Sequence, residues 1–349
     1  MTVQSAESWC DMVLRLGREN RQARGASETA AATDTAKRPP IGRPQTIEEM
    51  VGQEAVIGRL RIVIEGAKAR GTRVPHVLLT GSSGMGKTTL AHIIANELGG
   101  PLLATAGPLL RKGADLSGLL SSVRAETVLF IDEIHRLPHE VSESLYQALE
   151  EGCLSVLRGY GADARAITIN LPALTVVGAT NMPGLLTTAL RDRFGFQASL
   201  EPYSIEELGT IVRRAFVRMG MAEIEEGPCR VIAERCKGVP RIALHLADRT
   251  ADVAALEDER VDVRLAMRAL AAFDIDRFGL DSEDYRLLGA LVVTFSGRPV
   301  GLNAWAQVCD MDEWTVRDRE AALIRAGFLV RTPKGRMALP RAHQLVEAH

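Results

Sequence analysis

At 349 residues the chain exceeds the roughly 150 residues of one ordinary domain, and 46% apolar, 25% charged and 4% aromatic residues exclude a disordered or fibrous protein. With 42 Lys and Arg against 44 Asp and Glu, the net charge of −2 excludes a polycation, so any nucleic-acid contact must come from a local basic patch. Five cysteines without a C-x-x-C pair, and no run of about 18 apolar residues, exclude a disulfide framework and a membrane span and predict a cytoplasmic protein.

Residues 1–42 start with a short amphipathic stretch (Trp9, Met12, Val13, Leu16) and run on, rich in Ala, Thr and Arg, to Lys37-Arg38-Pro39-Pro40, which reads as a flexible extension. Over residues 43–202 short apolar runs alternate with helical patterns. Residues 76–80, 127–131, 174–179 and 196–200 read as buried strands, so the fold class is α/β with a parallel sheet. At Tyr203 the pattern changes: Ser204-Ile205-Glu206-Glu207 has the form of a capping box and opens a run of helices, predicting a small all-helical domain over 203–272. Residues 273–349 show short helices, a break at Gly327, and two short runs either side of Thr332-Pro333-Lys334-Gly335, the pattern of a winged helix-turn-helix. Its charge is polarised. Residues 321–346 carry Arg325, Arg331, Lys334, Arg336 and Arg341 without an acid, and the turn predicts that Arg331 and Arg336 project from the hairpin tip.

Gly81-Ser82-Ser83-Gly84-Met85-Gly86-Lys87-Thr88 fits G-x-x-x-x-G-K-[ST] between a predicted strand and a helix. Glycines at 81, 84 and 86 let backbone N–H groups curl around phosphates, Lys87 neutralises their charge, and the Thr88 hydroxyl can ligate Mg²⁺. Val128-Leu129-Phe130-Ile131-Asp132-Glu133 is an apolar strand delivering two adjacent carboxylates, which are costly side by side unless a cation binds. Asp132 suits the Mg²⁺ shell and Glu133 the polarisation of an attacking water. Asn181, just past the strand at 174–179, can orient that water, and Arg193 sits where a finger could reach a neighbour's γ-phosphate. Arg241 opens a helix of the small domain and is a candidate second sensor. An ATPase or GTPase follows.

In this order the pieces look like an AAA+ ATPase, and the wording is closer still. Arg43-Pro44, Val51-Gly52-Gln53, residues 86–91 (GKTTLA), 129–137 (LFIDEIHRL), Gly178-Ala179-Thr180, 190–195 (LRDRFG) and 331–336 (RTPKGR) resemble the RuvB family of bacterial Holliday-junction branch-migration motors. The resemblance runs from about residue 43 to 345. It implies an AAA+ core, a helical lid and a winged helix; a homo-hexameric ring on duplex and four-way junction DNA; ATP and Mg²⁺ at subunit boundaries; and a RuvA-type partner. By position it makes Lys87, Thr88, Asp132 and Glu133 the hydrolytic set, Asn181 the first sensor, Arg193 the finger in trans and Arg241 the second sensor. Arg43 and Tyr203 would flank the adenine, Thr89 would join the phosphate contacts, and Arg331 and Arg336 would contact DNA phosphates. Residues 152–170 resemble the family's partner-binding hairpin, with Leu154, Val156, Leu157 and Tyr160 as apolar contacts.

The chain departs from the family at Thr180-Asn181-Met182, where Thr-Thr-Arg is usual, at Met50 for a tyrosine, at Glu150-Glu151-Gly152, and at Ser82-Ser83 in place of two prolines. These changes bear on partner affinity and ATPase rate more than on fold. An ATP-dependent loader would share the core but not the RTPKGR wing. A non-catalytic assembly factor would not need Glu133, Asn181 and Arg193 together.

Overall fold

The computed structural model describes residues 43–158, 165–221 and 223–348, and the helix expected near Trp9 lies outside them. Two compact units result, with the break between Glu201 and Pro202.

The first unit is built on five parallel strands, β1 (Val77–Thr80), β2 (Leu102–Ala106), β3 (Thr127–Asp132), β6 (Leu174–Thr180) and β7 (Phe196–Ser199), in the order β2-β3-β6-β1-β7. Helix α1 (Glu54–Arg70) precedes β1, helices α2 (Lys87–Leu98), α3 (Gly113–Ser121), α4 (His139–Glu151) and α5 (Thr188–Asp192) lie between strands, and a hairpin of β4 (Cys153–Arg158) and β5 (Arg165–Asn170) follows α4. Burial follows strand position. Central β6 is buried at all its residues, Leu-Thr-Val-Val-Gly-Ala-Thr, as a strand covered on both faces must be. Edge strand β7 alternates buried Phe196 and Ala198 with exposed Gln197 and Ser199. The sequence reading found four of these strands and missed β2. Its Leu-Leu-Ala-Thr-Ala run is half-exposed at the sheet's other edge and contains alanines, which carry little strand signal.

His76, just before β1, fixes part of this arrangement. It is 7% exposed, its Nδ1 accepts from the Val176 N–H of β6 at 3.0 Å, and its Nε2 lies 3.3 Å from the Leu149 carbonyl of α4. Both contacts are met at once only by the neutral Nε2–H tautomer. Burial, with help from the Arg73 charge, lowers its pKa from 6.5 to about 4.

The second unit contains four helices, α6 (Ile205–Arg218), α7 (Glu226–Ala233), α8 (Pro240–Glu257) and α9 (Val263–Ala272), followed by α10 (Ser282–Gly289), α11 (Leu302–Val308), α12 (Glu313–Arg325), the hairpin β8 (Leu329–Thr332) and β9 (Gly335–Ala338), and α13 (Pro340–Glu347). The capping box at Ser204 forms in both directions: the Glu207 N–H donates to Ser204 Oγ at 3.1 Å and the Ser204 N–H to Glu207 Oε2 at 2.6 Å. The winged helix packs around Trp305, Leu287, Leu323 and Phe328, all fully buried, and the Trp305 indole N–H donates to the Leu287 carbonyl at 3.0 Å. A buried charge cluster joins it to the helical part of the unit. Lys237 pairs with Asp284, which is 1% exposed, and Arg319 reaches Asp284 at 2.9 Å and Asp281 at 2.8 Å.

The buried His76 yields a pH prediction. Its folded pKa is depressed, so the stability tied to its neutral form is fully present above pH 6.5 and is lost as pH falls from 6.5 towards 4. The loss should total about 3 kcal/mol by linkage. Urea unfolding of wild type and His76→Gln at pH 7.5, 5.5 and 4.5 measures it: the variant should show a shallower decline, and identical slopes would assign the acid sensitivity elsewhere.

Candidate nucleotide site and nucleic-acid wing

Parallel register brings the predicted residues of the first unit to one edge of the sheet. Thr80 at the end of β1 pairs with Thr180 at the end of β6, and on the other side of β6 Gly178 pairs with Ile131, one residue before Asp132. The Gly81 N–H donates to the Thr180 carbonyl at 3.2 Å, so the phosphate loop leaves the sheet beside Asn181. Such an edge, at the carboxyl ends of parallel strands, is where open α/β sheets bind ligands.

In the loop, Gly81, Gly84 and Gly86 have φ of 140°, 77° and 102°, which side-chain-bearing residues rarely adopt. A Cβ on Gly81 would also lie 2.9 Å from the Leu200 carbonyl oxygen. Lys87 begins α2 and is only 8% exposed; its Nζ donates to the carbonyls of Gly81 at 2.8 Å and Ser82 at 2.9 Å, curling the loop around the ammonium. Thr88 and Thr89 follow in the same helical turn, half-buried. Exposed Arg43 sets its Nη1 3.0 Å from His92 Nε2 on α2.

Asp132 closes β3 and accepts the Glu133 N–H at 2.9 Å. Glu133 adopts φ 49°, ψ 42°, a left-handed conformation uncommon outside glycine, and the Arg136 N–H donates to its carbonyl at 2.8 Å. The backbone thus turns sharply just where the acid is presented. His135, its side chain 4% exposed, sets Nε2 3.4 Å from Glu133 Oε2 and Nδ1 2.9 Å from Thr180 Oγ1. Burial, then the Arg136 charge, lowers the His135 pKa, with Asp132 opposing. Asn181 Oδ1 is buried with no hydrogen-bond partner among the described residues, an acceptor waiting for a donor. Sequence reading quoted the His135 segment but gave the histidine no role, because the Thr180 contact spans 45 residues.

Arg193 caps the C-terminus of α5 and pairs with Glu150 Oε2 at 2.7 Å, at 40% side-chain exposure. Tyr203 and Arg241 belong to the second unit. There the Tyr203 N–H donates to the Gly238 carbonyl at 3.0 Å, so Tyr203 is tied to the turn that opens α8, with Arg241 exposed in its first turn.

Two expectations need correction. The hairpin was expected to offer Leu154 to a partner, but Leu154 is 2% exposed and packs in the first unit's own core. Val156 and Leu157 pair with Ile167 and Ala166 across the hairpin, and Tyr160 lies outside the described residues. Among the hairpin residues whose side chains are described, Ile167 and Ile169 of β5 are exposed. The wing was expected to hold Arg331 and Arg336 out at its tip. Instead both guanidinium groups converge on Glu320 of α12, a carboxylate with no exposure: Arg331 donates from Nη2 at 2.6 Å and Nε at 3.1 Å, and Arg336 from Nε at 2.8 Å and Nη2 at 3.2 Å. Register explains it, because Arg331 and Arg336 are directly paired across β8 and β9 and share one face. Arg331 stays 56% exposed, whereas Arg336 is 15% exposed. Burial would raise the Glu320 pKa, but the two arginines outweigh it and hold it below the usual carboxylate range. Arg341, an exposed residue, lies 4.7 Å from the ring centres of Phe278 and Phe328. Lys334, at the turn, is exposed.

A phosphate loop running into a helix, beside a strand that ends in paired carboxylates on a β2-β3-β6-β1-β7 sheet, and followed by a helical lid, defines a P-loop nucleotide-binding protein of the AAA+ class. The chain belongs to the RuvB family: it matches the Holliday junction DNA helicase RuvB P-loop domain over residues 42–200, the RuvB AAA lid domain over 203–276 and the RuvB C-terminal winged helix domain over 277–347. It is 42% identical over 304 residues to the Holliday junction branch migration complex subunit RuvB of Oleidesulfovibrio alaskensis, covering 86% of this chain and 94% of that one. The subunit of the same description from Solibacter usitatus is 43% identical, over 86% and 88% of the two chains. Among solved structures, the Thermotoga maritima RuvB Holliday junction branch migration motor is similar with a TM-score of 0.80 at 39% identity, covering 88% of this chain and 99% of that one.

The shared Glu320 predicts unequal arginines. Arg336→Ala should lower stability by about 2 kcal/mol, the loss of a charged hydrogen-bonded pair in a buried setting. Arg331→Ala should cost about 1 kcal/mol or less, because its guanidinium is half in water. Urea unfolding followed by tryptophan fluorescence is the measurement, since Trp305 and Trp314 both lie in the winged helix. Equal losses would mean that Glu320 is served as well by either arginine alone.

Proposed function

We propose that the chain is an ATP-hydrolysing motor of Holliday-junction branch migration, acting as a homo-hexameric ring on duplex DNA at four-way junctions with a RuvA-type partner. The observation that carries this reading is Asn181: its buried, unpartnered oxygen stands at the sheet edge between the phosphate loop and the Asp132-Glu133 pair, in a chain that belongs to the RuvB family from the P-loop to the winged helix.

ATP would lay its phosphates against the loop N–H groups at the N-terminus of α2, with Lys87 turning its ammonium to the β- and γ-phosphates. Among the described residues no three carboxylate, imidazole or thiolate groups gather into a metal site. The oxygen donors Thr88 and Asp132 nonetheless fit Mg²⁺, which keeps much of its shell as water and phosphate oxygen. Bound there, Mg²⁺ would neutralise charge developing on the phosphates. Glu133 accepts a proton from the attacking water, and Asn181 Oδ1 accepts a second hydrogen bond from it, so the water's lone pair faces phosphorus. Arg43 and Tyr203 flank the adenine, Thr89 adds to the phosphate contacts, and Arg241 answers the nucleotide from the lid. Arg193 leaves Glu150 to reach the γ-phosphate of a neighbouring subunit, an exchange that a half-exposed ion pair permits at small cost. Arg331, Arg336 and Lys334 form the phosphate-facing wing. Arg331, 56% exposed, is a better contact than Arg336 at 15%, and phosphate contact without base readout suits a motor that must pass over any sequence.

Lys87→Ala should abolish ATP binding, while Glu133→Gln should bind ATP and lose about 10²-fold or more in turnover, the usual worth of a positioned base. Equal loss of binding in both would sink the assignment. Mixed rings of Arg193→Ala and Lys87→Ala subunits should recover some hydrolysis, because one kind of interface then has an intact finger and an intact loop. For the wing, Arg331→Ala should lower the slope of log K against log[salt] by about 0.9 on two unrelated duplexes alike. Fluorescence anisotropy reads this, and a loss confined to one sequence would make Arg331 a base reader.

A further inference from the structure

We infer that Gln53 is a positioning residue for the joint between the two units, clipping the last residue of the first unit so that one backbone torsion, ψ of Pro202, is left to turn the lid. The inference rests on the nucleotide reading of the site and adds to it a residue that the family resemblance left without a role.

Both ends of the Gln53 carboxamide are used on one residue. Its Nε2 donates to the Glu201 carbonyl at 2.6 Å and the Glu201 N–H donates to its Oε1 at 3.1 Å, across 148 residues of sequence. Just past edge strand β7, the Leu200 N–H turns inward to the Thr80 carbonyl at 2.8 Å, so the backbone groups of the next residue face the open edge of the sheet. The Gln53 side chain stands there in place of a further strand. Its own root is rigid: Gln53 is the N-cap of α1, and its carbonyl accepts the Val56 and Ile57 N–H groups, each at 2.9 Å. It holds φ 61°, ψ 31°, a left-handed conformation that is costly for a residue with a side chain.

Holding both the N–H and the carbonyl of Glu201 fixes the φ and ψ of that residue. The Pro202 ring fixes the next φ at about −65°. Beyond it the Tyr203 N–H is held by the Gly238 carbonyl at 3.0 Å, within the second unit. Between the two anchored peptides the remaining torsion is ψ of Pro202. A Cβ on Gly238 would lie 2.8 Å from Pro202 Cβ, so glycine there leaves the ring room as that torsion turns. Tyr203 and Arg241, both carried by the second unit, thus approach a nucleotide along one path, and the freedom of the joint is given up at folding instead of at binding.

Hydrogen exchange and nucleotide affinity, both on the full chain, test the clip. In Gln53→Met the Glu201 amide should lose protection by about 10-fold or more while the Leu200 amide keeps it. ADP affinity should fall about 5- to 30-fold, the worth of one residue's backbone freedom returned to the joint. Pro202→Ala keeps the clip and frees the next φ, so it should weaken ADP by about 2- to 5-fold with exchange at Glu201 unchanged. Inorganic pyrophosphate, a ligand for the phosphate loop of the first unit, should compete with ADP equally well in wild type and both variants. At saturating ATP kcat should stay within about threefold of wild type, so that the cost lies in KM. Unchanged exchange at Glu201, unchanged ADP affinity, or an equal loss of pyrophosphate affinity would overturn the inference. If Gln53→Met fails to fold, Pro202→Ala decides alone, and unchanged ADP affinity there overturns it. A wild-type chain that binds no nucleotide would instead overturn the reading beneath, while exchange at Glu201 still reports on the clip.

Discussion

The parallel pairing of β6 between β3 and β1 is the constraint on which the rest of the first unit depends. Parallel strands have all their carboxyl ends on one side, and register decides which residues meet there. With Thr80 opposite Thr180 and Ile131 opposite Gly178, the phosphate loop, the Asp132-Glu133 pair and Asn181 emerge side by side from segments about 50 residues apart. A slip of one residue along β6 would bury Asn181 or carry it out of reach. His76 helps to resist that slip, since it takes a backbone N–H from β6 while reaching α4 with its other nitrogen.

Within that frame, acids decide what the arginines can do. The chain is rich in arginine, and a linear count over residues 321–346 makes the wing its most basic segment. In three dimensions Glu320, from the preceding helix, pairs with two of those charges, burying Arg336 and leaving Arg331 half in water, and Arg341 lies over the Phe278 and Phe328 rings. Breaking such a cluster is costly because it leaves a buried charge, so its first effect is to fix the geometry of the hairpin. The guanidinium edge of Arg331 that Glu320 does not use is then presented on a rigid strand pair. The same logic holds at lower stakes for Arg193, whose pairing with Glu150 is half in water and so is readily exchanged for a stronger anion.

The second unit shows how a charged cluster can couple elements that an apolar contact would leave free to slide. Lys237 lies just before α8, the helix on which Arg241 sits, and it pairs with Asp284 of the winged helix, where Arg319 joins from α12. Apolar surfaces tolerate small shifts, whereas a buried lysine and aspartate cannot part without leaving charges unsolvated. The turn that carries the candidate second sensor and the domain that carries the wing are thereby joined through named side chains.

Much of this was legible in the residues alone. The phosphate loop, the apolar strand ending in two acids, the capping box at Ser204 and the turn at residues 332–335 are local patterns, fixed by glycine's freedom, strand burial and helix-end hydrogen bonding. They sufficed for the α/β class, the helical lid and the winged helix, while the family was legible from the resemblance of residues 86–91, 129–137, 190–195 and 331–336 to the RuvB family. The edge strand β2 was not legible, because its signal is weak where burial is partial. The direction of Leu154, the commitment of Arg331 and Arg336 to Glu320, and the meeting of Thr180 with His135 belong to tertiary structure alone. Sequence sets which charges and donors exist. Which of them meet is decided by strand register and helix packing, which bring together residues that no local pattern relates.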